Sequence, residues 1–215
     1  MRPAADLAAR LSHVQWIGGG TGAGKSTIAR HLADAHGLLL HTIEPFTRYV
    51  DRSNPDDHPL LHEFIEMDMD ERWLDREPEV MLATFHGFQD ELFHLMLDDV
   101  LELPADPPVL VEGFSLLPRL VAPLLSRDGQ AVWLLPDAAF RRAAFASRGS
   151  LWDIAGRTSD PERALENLLR RDALFTEEVR REATALDLPV LDVRVGLTED
   201  ELAAGVAHLL SLPGM

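Results

Sequence analysis

The chain has 215 residues, of which 46% are apolar and 26% are charged. This composition excludes a disordered chain and is typical of one compact α/β domain. No apolar run approaches the roughly 18 residues of a membrane span, and the first residues contain no apolar signal core, so we expect a cytoplasmic protein without a membrane partner. The net charge of −16 repels a phosphate backbone, which argues against nucleic acid as a partner.

The predicted strands are five short apolar segments. Their side chains do not alternate between apolar and polar, which is typical of parallel strands covered by helices on both faces. The segments are residues 13–17, 38–41, 109–111, 131–135 and 190–193. Helical patterns follow them at residues 28–35, 116–126, 138–146, 161–186 and 198–210. This alternation predicts an α/β fold with a doubly wound parallel sheet.

Two segments interrupt this alternation. Residues 45–108 are too many for a simple crossover, and their helical patterns at 60–73 and 81–101 predict a lobe beside the sheet. Residues 148–159 are polar and contain two glycines, which predicts a mobile loop. We therefore expect residues 1–215 to form a single domain with these two insertions.

A glycine-rich segment, GGGTGAGKST, joins the first predicted strand to the first predicted helix. From Gly19 to Ser26 it fits the Walker A pattern, in which backbone N–H groups and a helix N-terminus bind phosphates. Lys25 would reach the β- and γ-phosphates, and the Ser26 hydroxyl would bind Mg²⁺. The residues expected to bind a nucleotide are Gly19, Gly20, Thr21, Gly22, Ala23, Gly24, Lys25, Ser26 and Thr27.

Lys25 is the only lysine among the 20 basic residues. Its place in the motif argues against the alternative of a glycine-rich turn that merely joins strand to helix. It also excludes the Asn-Lys-x-Asp motif of GTPases, which would need a second lysine. These observations favour a small kinase among the proteins with a Walker A motif.

The layout resembles the adenylate-kinase-like family of nucleoside, nucleotide and metabolite kinases. The resemblance rests on the Walker A motif, the segment VLVEGF at residues 109–114 and the later arginine-rich loop. The segment EGFSLLP, residues 112–118, is similar to the Glu-Gly segment of metabolite kinases such as 2-phosphoglycerate kinase. The family implies a P-loop fold with a five-stranded parallel sheet in the order 2-3-1-4-5. It also implies an acceptor-binding lobe after strand 2 and an arginine-bearing LID after strand 4.

Two glutamates follow predicted strands and are candidate catalytic residues. Glu112 ends the third strand, where a carboxylate can orient Mg²⁺ or accept a proton, although an ordinary strand-end glutamate is the alternative. Glu44 precedes Pro45 after the second strand. The Glu-Pro pair of deoxyribonucleoside kinases supplies a general base in the corresponding place, so the resemblance implies this role for Glu44, against a loop or capping carboxylate.

Arg148 and Arg157 flank the predicted loop and are the candidates for stabilising the transferred phosphoryl group. The planar guanidinium suits three phosphoryl oxygens, and a closing loop could bring one of these arginines to them. Arg141 and Arg142 are expected to be helix-surface charges instead.

The lobe gives less information about the acceptor. Acidic residues outnumber basic ones between residues 41 and 77. This excess favours a neutral or cationic hydroxyl compound over a nucleotide as the acceptor. The alternative is that the acidic residues form a solvated helix face. His86, Phe88 and Gln89 could face the acceptor or pack in the core.

We therefore expect an enzyme that uses ATP and Mg²⁺ to phosphorylate a small molecule, namely a nucleoside, sugar, hydroxy acid or antibiotic. The adenine would lie near residues 194–198. The alternatives are a nucleotide-binding switch or regulatory ATPase without an acceptor, and a nucleoside-monophosphate kinase. The sequence does not predict an oligomeric state.

Overall fold

The computed structural model of the chain describes residues 4–43, 46–148 and 150–213. For residues 4, 46, 145–148 and 150–152 the description covers the backbone only. Among all these residues, no helix is long and apolar enough to cross a membrane.

Five parallel strands form one sheet in the order β2-β3-β1-β4-β5, which confirms the expected α/β class and strand order. They are β1 (Val14–Gly19), β2 (Leu39–Thr42), β3 (Val109–Glu112), β4 (Ala131–Pro136) and β5 (Val190–Val193). The three central strands are buried along their whole length, which explains their uninterrupted apolar sequences. The register pairs Ile17 with Glu112 and Gly19 with Leu134. The end of β3 therefore lies beside the point where the glycine-rich segment begins.

The helices surround the sheet and fill the insertion between β2 and β3. They are α1 (Ala4–Arg10), α2 (Lys25–His36), α3 (Pro59–Glu66), α4 (Met69–Trp73), α5 (Pro78–Leu101), α6 (Pro118–Val121), α7 (Ala138–Arg148), α8 (Ser150–Ala155), α9 (Pro161–Ala185) and α10 (Glu199–Leu209). Two 3₁₀ turns span Phe46–Arg52 and Ala122–Leu124.

Three elements differ from the predicted pattern. Helix α1 was not predicted. The expected helix at 60–73 is divided into α3 and α4, because the Asp68 side chain accepts a hydrogen bond from the Glu71 N–H and starts a new helix. The expected helix at 116–126 is only a short turn of α-helix followed by 3₁₀ structure, since Pro123 has no N–H to continue the α-helical pattern.

Two apolar layers hold the sheet between the helices. Helices α2 and α10 pack on one face, where Ile28, Leu32 and Val206 contact strand residues such as Val132. The lobe helix α5 packs on the other face together with α6 and α9. Helix α2, in the connection after β1, thus lies on one face, whereas α6 and α9, in the connections after β3 and β4, lie on the other. Connections that diverge in this way open a crevice at the carboxyl ends of the strands, where α/β proteins bind ligands.

The segment at 148–159, predicted to be a loop, contains helix α8. The prediction of a loop was therefore wrong over α8, and the role of this segment as a LID stays a prediction. Ala155 is fully buried in a small apolar cluster with Leu74, Ala164 and Leu168, and Ile154 packs against it. Because this cluster includes residues of α9 and of the lobe, the helix gains a packing partner that local sequence does not reveal.

Candidate functional site

A tight loop at residues 18–24, here called the glycine loop, leaves β1 at the carboxyl edge of the sheet. The Gly20 N–H donates to the Leu134 carbonyl oxygen at 2.9 Å. A Cβ atom on Gly20 would lie 2.7 Å from Pro136 Cδ and 3.2 Å from Thr176 Oγ1. The loop is therefore pressed against β4 and α9, and a larger residue at Gly20 would displace it.

Gly24 ends the loop and caps helix α2. Its backbone is left-handed, with φ of 83°, which glycine adopts without a steric penalty. No side chain caps this helix. The first-turn N–H groups are consequently not used by a side-chain cap, and together with the helix dipole they form an environment suited to an anion.

Lys25 is the first residue of α2 and crosses back over the glycine loop. Its Nζ donates to the Gly20 carbonyl oxygen at 2.9 Å, and the residue is only 7% exposed. Burial raises the strength with which this charge attracts an anion, because little water screens it. Of the other candidates, Ala23 is buried, Thr21, Gly22 and Thr27 are half-buried, and Ser26 is exposed on the first turn of α2.

Glu112 lies at the end of β3, next to β1. The Gly113 N–H donates to the Ile17 carbonyl oxygen at 3.1 Å, which fixes the backbone here. Glu112 is 2% exposed. A carboxylate buried at this edge of the sheet is suited to a cation or a proton.

A magnesium ion fits the oxygen donors at this edge, Ser26 and Glu112. Among the described residues, no cluster of three or more His, Asp or Glu side chains could hold a metal ion. Mg²⁺ is usually bound by one or two carboxylates together with substrate phosphates rather than by a complete protein cage. The donor set therefore fits Mg²⁺ only in combination with a phosphate ligand.

Arg141 is buried beside the glycine loop, so the expectation of a helix-surface charge was wrong for this residue. It is 6% exposed, and its Nη2 donates to the Pro136 carbonyl oxygen at 3.3 Å and to Thr176 Oγ1, the atom that approaches Gly20. Its Nε has no partner within the described residues. Burial lowers the pKa of the Arg141 guanidinium from its ordinary value, and the Asp172 charge opposes this shift. The adjacent Arg142 is exposed, as expected.

The remaining predicted catalytic residues are less completely defined. Glu44 lies outside the described residues. Arg148 ends helix α7, and its side chain is not described. Arg157 is exposed after α8, where its N–H donates to the Ile154 carbonyl oxygen at 3.2 Å. The structure therefore brings Lys25, Ser26 and Glu112 to one sheet edge, and no hydrogen bond joins the Arg157 side chain to the glycine loop within the described residues.

Helices α5 and α9 form a wall of aromatic and charged side chains next to the loop. The Phe85 and Phe114 rings stack with centroids 4.5 Å apart, and Phe175 packs against both at 5.6 and 5.1 Å. One turn before Phe175 on α9, Arg171 and Asp172 form an ion pair at 2.8 Å. These two charged residues were missed, because the sequence gives no sign that they are buried.

His86 and Gln89 lie on the lobe side of this wall. His86 is 5.8 Å from Phe175 between ring centroids, and Gln89 is 1% exposed. Neither the amide atoms of Gln89 nor the Nε2 atom of His86 has a partner in the described part of the chain. Burial lowers the pKa of His86 to about 4, and the charge of Arg119 acts in the same direction. His86 is thus neutral at pH 7.

A cavity of about 210 Å³ adjoins the glycine loop on the other side of α2. It is mostly apolar, and it includes Gly24, Thr27, Phe140, Val193 and Leu197. This place coincides with the expected position of an adenine near residues 194–198. A second cavity, of about 710 Å³, lies at the opposite edge of the sheet around Gln130 and Pro189 and contains no residue of the loop. We assign it no part in the site, because the Lys25 charge and the free helix terminus are at the other edge.

The comparisons with known proteins add little. No protein-family model matches the chain, and neither does any curated protein. Among solved structures, the crystal structure of an uncharacterized protein from Eubacterium ventriosum is similar over 92% of this chain and 97% of its own length, with 12% sequence identity and a TM-score of 0.42. Nothing about the activity of this chain follows from that similarity.

Proposed function

We propose that the chain is a P-loop kinase that transfers the γ-phosphoryl group of ATP to a hydroxyl group of a small molecule. The observation that carries this proposal is the arrangement of Lys25. The only lysine is buried over the glycine loop, bound to Gly20, at a helix terminus without a side-chain cap and at the crevice of the sheet. A structural turn would need neither the buried charge nor the uncapped helix.

In this proposal, the backbone N–H groups of the loop and the first turn of α2 bind the β- and γ-phosphates. Lys25 and Arg141 supply positive charge where negative charge develops. Ser26 and Glu112 hold Mg²⁺, which neutralises phosphate charge when bound. The acceptor oxygen forms a bond to the γ-phosphorus as the bond to ADP breaks, and the hydroxyl proton leaves to a carboxylate. Glu44 stays the predicted proton acceptor.

The lobe supports a small-molecule acceptor over a nucleoside monophosphate. A monophosphate acceptor would need arginines whose guanidinium groups are available for its phosphate. In the lobe, Arg52 instead pairs with Asp99, Arg72 donates to two backbone carbonyl oxygens, and Arg76 donates to Thr84 and to the backbone. These three arginines are used within the lobe itself, and Arg48 donates to the Thr42 carbonyl oxygen at the end of β2.

An acceptor-dependent ADP-release assay tests the proposal. The assay would measure ADP formed from Mg-ATP with nucleosides, sugars, hydroxy acids and hydroxylated antibiotics. We expect at least one compound to raise the rate well above the basal hydrolysis. Lys25→Met should lower the stimulated rate at least ~100-fold, because it removes a charge that stabilises the transition state. The matched control is Arg30→Met, at an exposed position of the same helix.

The controls separate the outcomes. Glu112→Gln should weaken the dependence of the rate on Mg²⁺, whereas Glu102→Gln, at an exposed carboxylate, should not. If no compound stimulates ADP release while ATP still binds, the chain is a nucleotide-binding switch or regulatory ATPase. If Lys25→Met and wild-type protein bind and hydrolyse ATP equally, the assignment of the glycine loop is wrong.

A further inference from the structure

Arg171 and Asp172 form a buried ion pair in which three polar atoms have no hydrogen-bond partner among the described residues. Their side chains are 8% and 2% exposed, and Arg171 Nη2 lies 2.8 Å from Asp172 Oδ1. The contact lacks hydrogen-bond geometry, so within the described residues neither oxygen of Asp172 has a hydrogen-bond partner, and neither has Arg171 Nε. Buried polar groups are nearly always hydrogen-bonded in native proteins, because leaving them unpaired costs roughly 1–3 kcal/mol each. A bound ligand or an ordered water would satisfy such groups.

The pair lies between the glycine loop and the lobe. Asp172 precedes Thr176 by one helical turn, and Thr176 Oγ1 donates to the Asp172 carbonyl oxygen at 2.9 Å. Thr176 approaches Gly20, and the Asp172 charge acts on Arg141 beside the loop. On the other side, the Arg171 guanidinium lies over the Trp73 ring at 5.5 Å, and Trp73 belongs to the lobe. A ligand bound by the pair would therefore be next to the glycine loop.

The chemistry of these groups defines the ligand. Asp172 accepts hydrogen bonds, Arg171 donates them, and a hydroxyl group can satisfy either one because it is both a donor and an acceptor. The two charges neutralise each other, so an ionised ligand would leave a buried charge without compensation. Gln89 lies one turn after Phe85 on α5. Its side-chain oxygen is a buried acceptor and its side-chain nitrogen a buried donor, and neither has a partner among the described residues. The Phe85 and Phe175 rings, one turn from Gln89 and from Asp172 respectively, pack against each other and against Phe114.

We propose that the acceptor is an uncharged, polyhydroxylated ring compound that Arg171, Asp172 and Gln89 bind through its hydroxyl groups. Such a ring occurs in a free sugar, in a cyclitol and in the ribose of a nucleoside. This inference rests on the proposed kinase function and narrows its substrate class. It excludes hydroxy acids and phosphate esters, which carry a negative charge.

The test measures ADP release from Mg-ATP with three neutral groups of compounds and one charged group. The neutral groups are D-ribose and D-glucose, myo-inositol, and the nucleosides adenosine and cytidine. The charged group is D-glycerate and glucose 6-phosphate. We expect stimulation by at least one neutral compound and by neither charged one, and the group that responds identifies the source of the ring.

Three variants then test the named residues with the responding compound. Asp172→Asn and Gln89→Leu should each raise the acceptor KM at least tenfold and leave the ATP KM within twofold. Glu166→Gln, at an exposed position of α9, should change neither constant. Gln89→Leu should also leave the melting temperature of the free protein unchanged or raise it, because it removes a buried amide without partners. A purely structural Gln89 would instead lower the melting temperature and leave the acceptor KM unchanged.

Several results would overturn the inference and leave the kinase proposal intact. These are stimulation by D-glycerate or glucose 6-phosphate alone, or an unchanged acceptor KM in both Asp172→Asn and Gln89→Leu. Absence of stimulation by every compound, neutral or charged, overturns the inference and the kinase proposal together. Failure of an ATP analogue to bind the wild-type protein is a different result, because it removes the kinase proposal itself.

Discussion

Lys25 and Arg141 place two buried positive charges close to Gly20. Lys25 binds the Gly20 carbonyl oxygen directly, and Arg141 binds Thr176, which approaches Gly20 from helix α9. The two charges lie on different helices, α2 and α7, so the fold brings them together from 116 positions apart along the chain (141 minus 25). Against a net charge of −16, this local positive field is what would attract a nucleotide.

Arg141 and its neighbour Arg142 provide a matched pair of substitutions. We expect Arg141→Met to weaken binding of a non-hydrolysable ATP analogue about 10–100-fold, because hydrogen bonds to charged groups contribute roughly 1.5–3 kcal/mol. Arg142→Met, at an exposed position on the same helix, should leave the affinity unchanged. Isothermal titration calorimetry with Mg²⁺ present measures both. Equal affinities in the two variants would contradict a role for Arg141 in phosphate binding.

His86 should make stability depend on pH. Its pKa is about 4 in the folded chain, lowered by burial and by Arg119 and Arg171 against the opposing charges of Glu178 and Asp90. An unfolded histidine titrates near 6.5. Between pH 4 and pH 6.5 the unfolded chain binds a proton at this histidine that the folded chain does not. The contribution of His86 to folding stability is therefore fully present above about pH 6.5 and is lost as the pH falls towards 4.

Replacing His86 should therefore reduce the pH dependence of melting. We expect the melting temperature to fall less between pH 7 and pH 5 in His86→Gln than in wild-type protein. Part of the fall should persist, because burial also lowers the pKa of His41. His208→Gln, at an exposed position of α10, should retain the wild-type fall. Parallel curves for wild-type and His86→Gln proteins would show that this group does not titrate differently on folding.

Helix α8 is joined to the lobe by packing, although the two are far apart along the chain. Leu74 at the end of α4 shares one buried cluster with Ala155 of α8 and Leu168 of α9. Beside it, the Ser159 N–H donates to Asp70 Oδ1 at 2.7 Å. A LID that closes over a nucleotide would therefore either move together with the lobe or break these contacts. If the LID moves together with the lobe, acceptor binding in the lobe is linked to LID closure through these contacts alone.

Leu74→Ala should loosen α8 in particular. Removing a buried leucine side chain from a core costs roughly 2–5 kcal/mol. Because the cluster is small, we expect faster amide hydrogen exchange across residues 150–159 while the β-sheet amides keep their protection. Leu60→Ala, at a side chain that is 40% exposed, should leave exchange in that segment unchanged. Adding an ATP analogue and the acceptor should slow exchange there in wild-type protein, and no change on ligand addition would contradict LID closure.

The sequence was sufficient for the sheet and for the loop, because both are encoded locally. Apolar runs identify the buried strands, and the strand order followed from the resemblance carried by the Walker A motif. Arg141, Arg171 and Asp172 could not be predicted, since charged residues are expected at the surface and their burial depends on which faces of α7 and α9 meet. Helix α8 escaped prediction for the same reason, because its apolar side is buried by residues distant in sequence.

At the scale of the whole molecule, the cleft and the core are coupled through α2. This helix begins at the glycine loop and packs through Ile28 and Leu32 into the apolar layer with α10. A ligand that binds the first turn of α2 should therefore stabilise the global fold. A bound nucleotide at about 100 times its dissociation constant contributes roughly 2.7 kcal/mol.

For a chain of this size, that contribution should raise the melting temperature by about 5–11 °C. Differential scanning fluorimetry with a non-hydrolysable ATP analogue and Mg²⁺ measures the shift. Lys25→Met should remove most of the shift, while its melting temperature without nucleotide stays near that of the wild type. A full shift in this variant would mean that the nucleotide binds elsewhere, for example at the 710 Å³ cavity of the opposite sheet edge.

The burial of the only lysine also determines how the protein responds to chemical labelling. Lys25 carries the sole side-chain amine of the chain and is 7% exposed. Its Nζ is engaged with Gly20. Amine-reactive dyes and cross-linkers therefore find no side-chain amine on the folded surface, and any acylation of Lys25 would remove the charge at the loop. Labels meant to preserve the cleft must be attached through other chemistry, such as a cysteine introduced into this cysteine-free sequence.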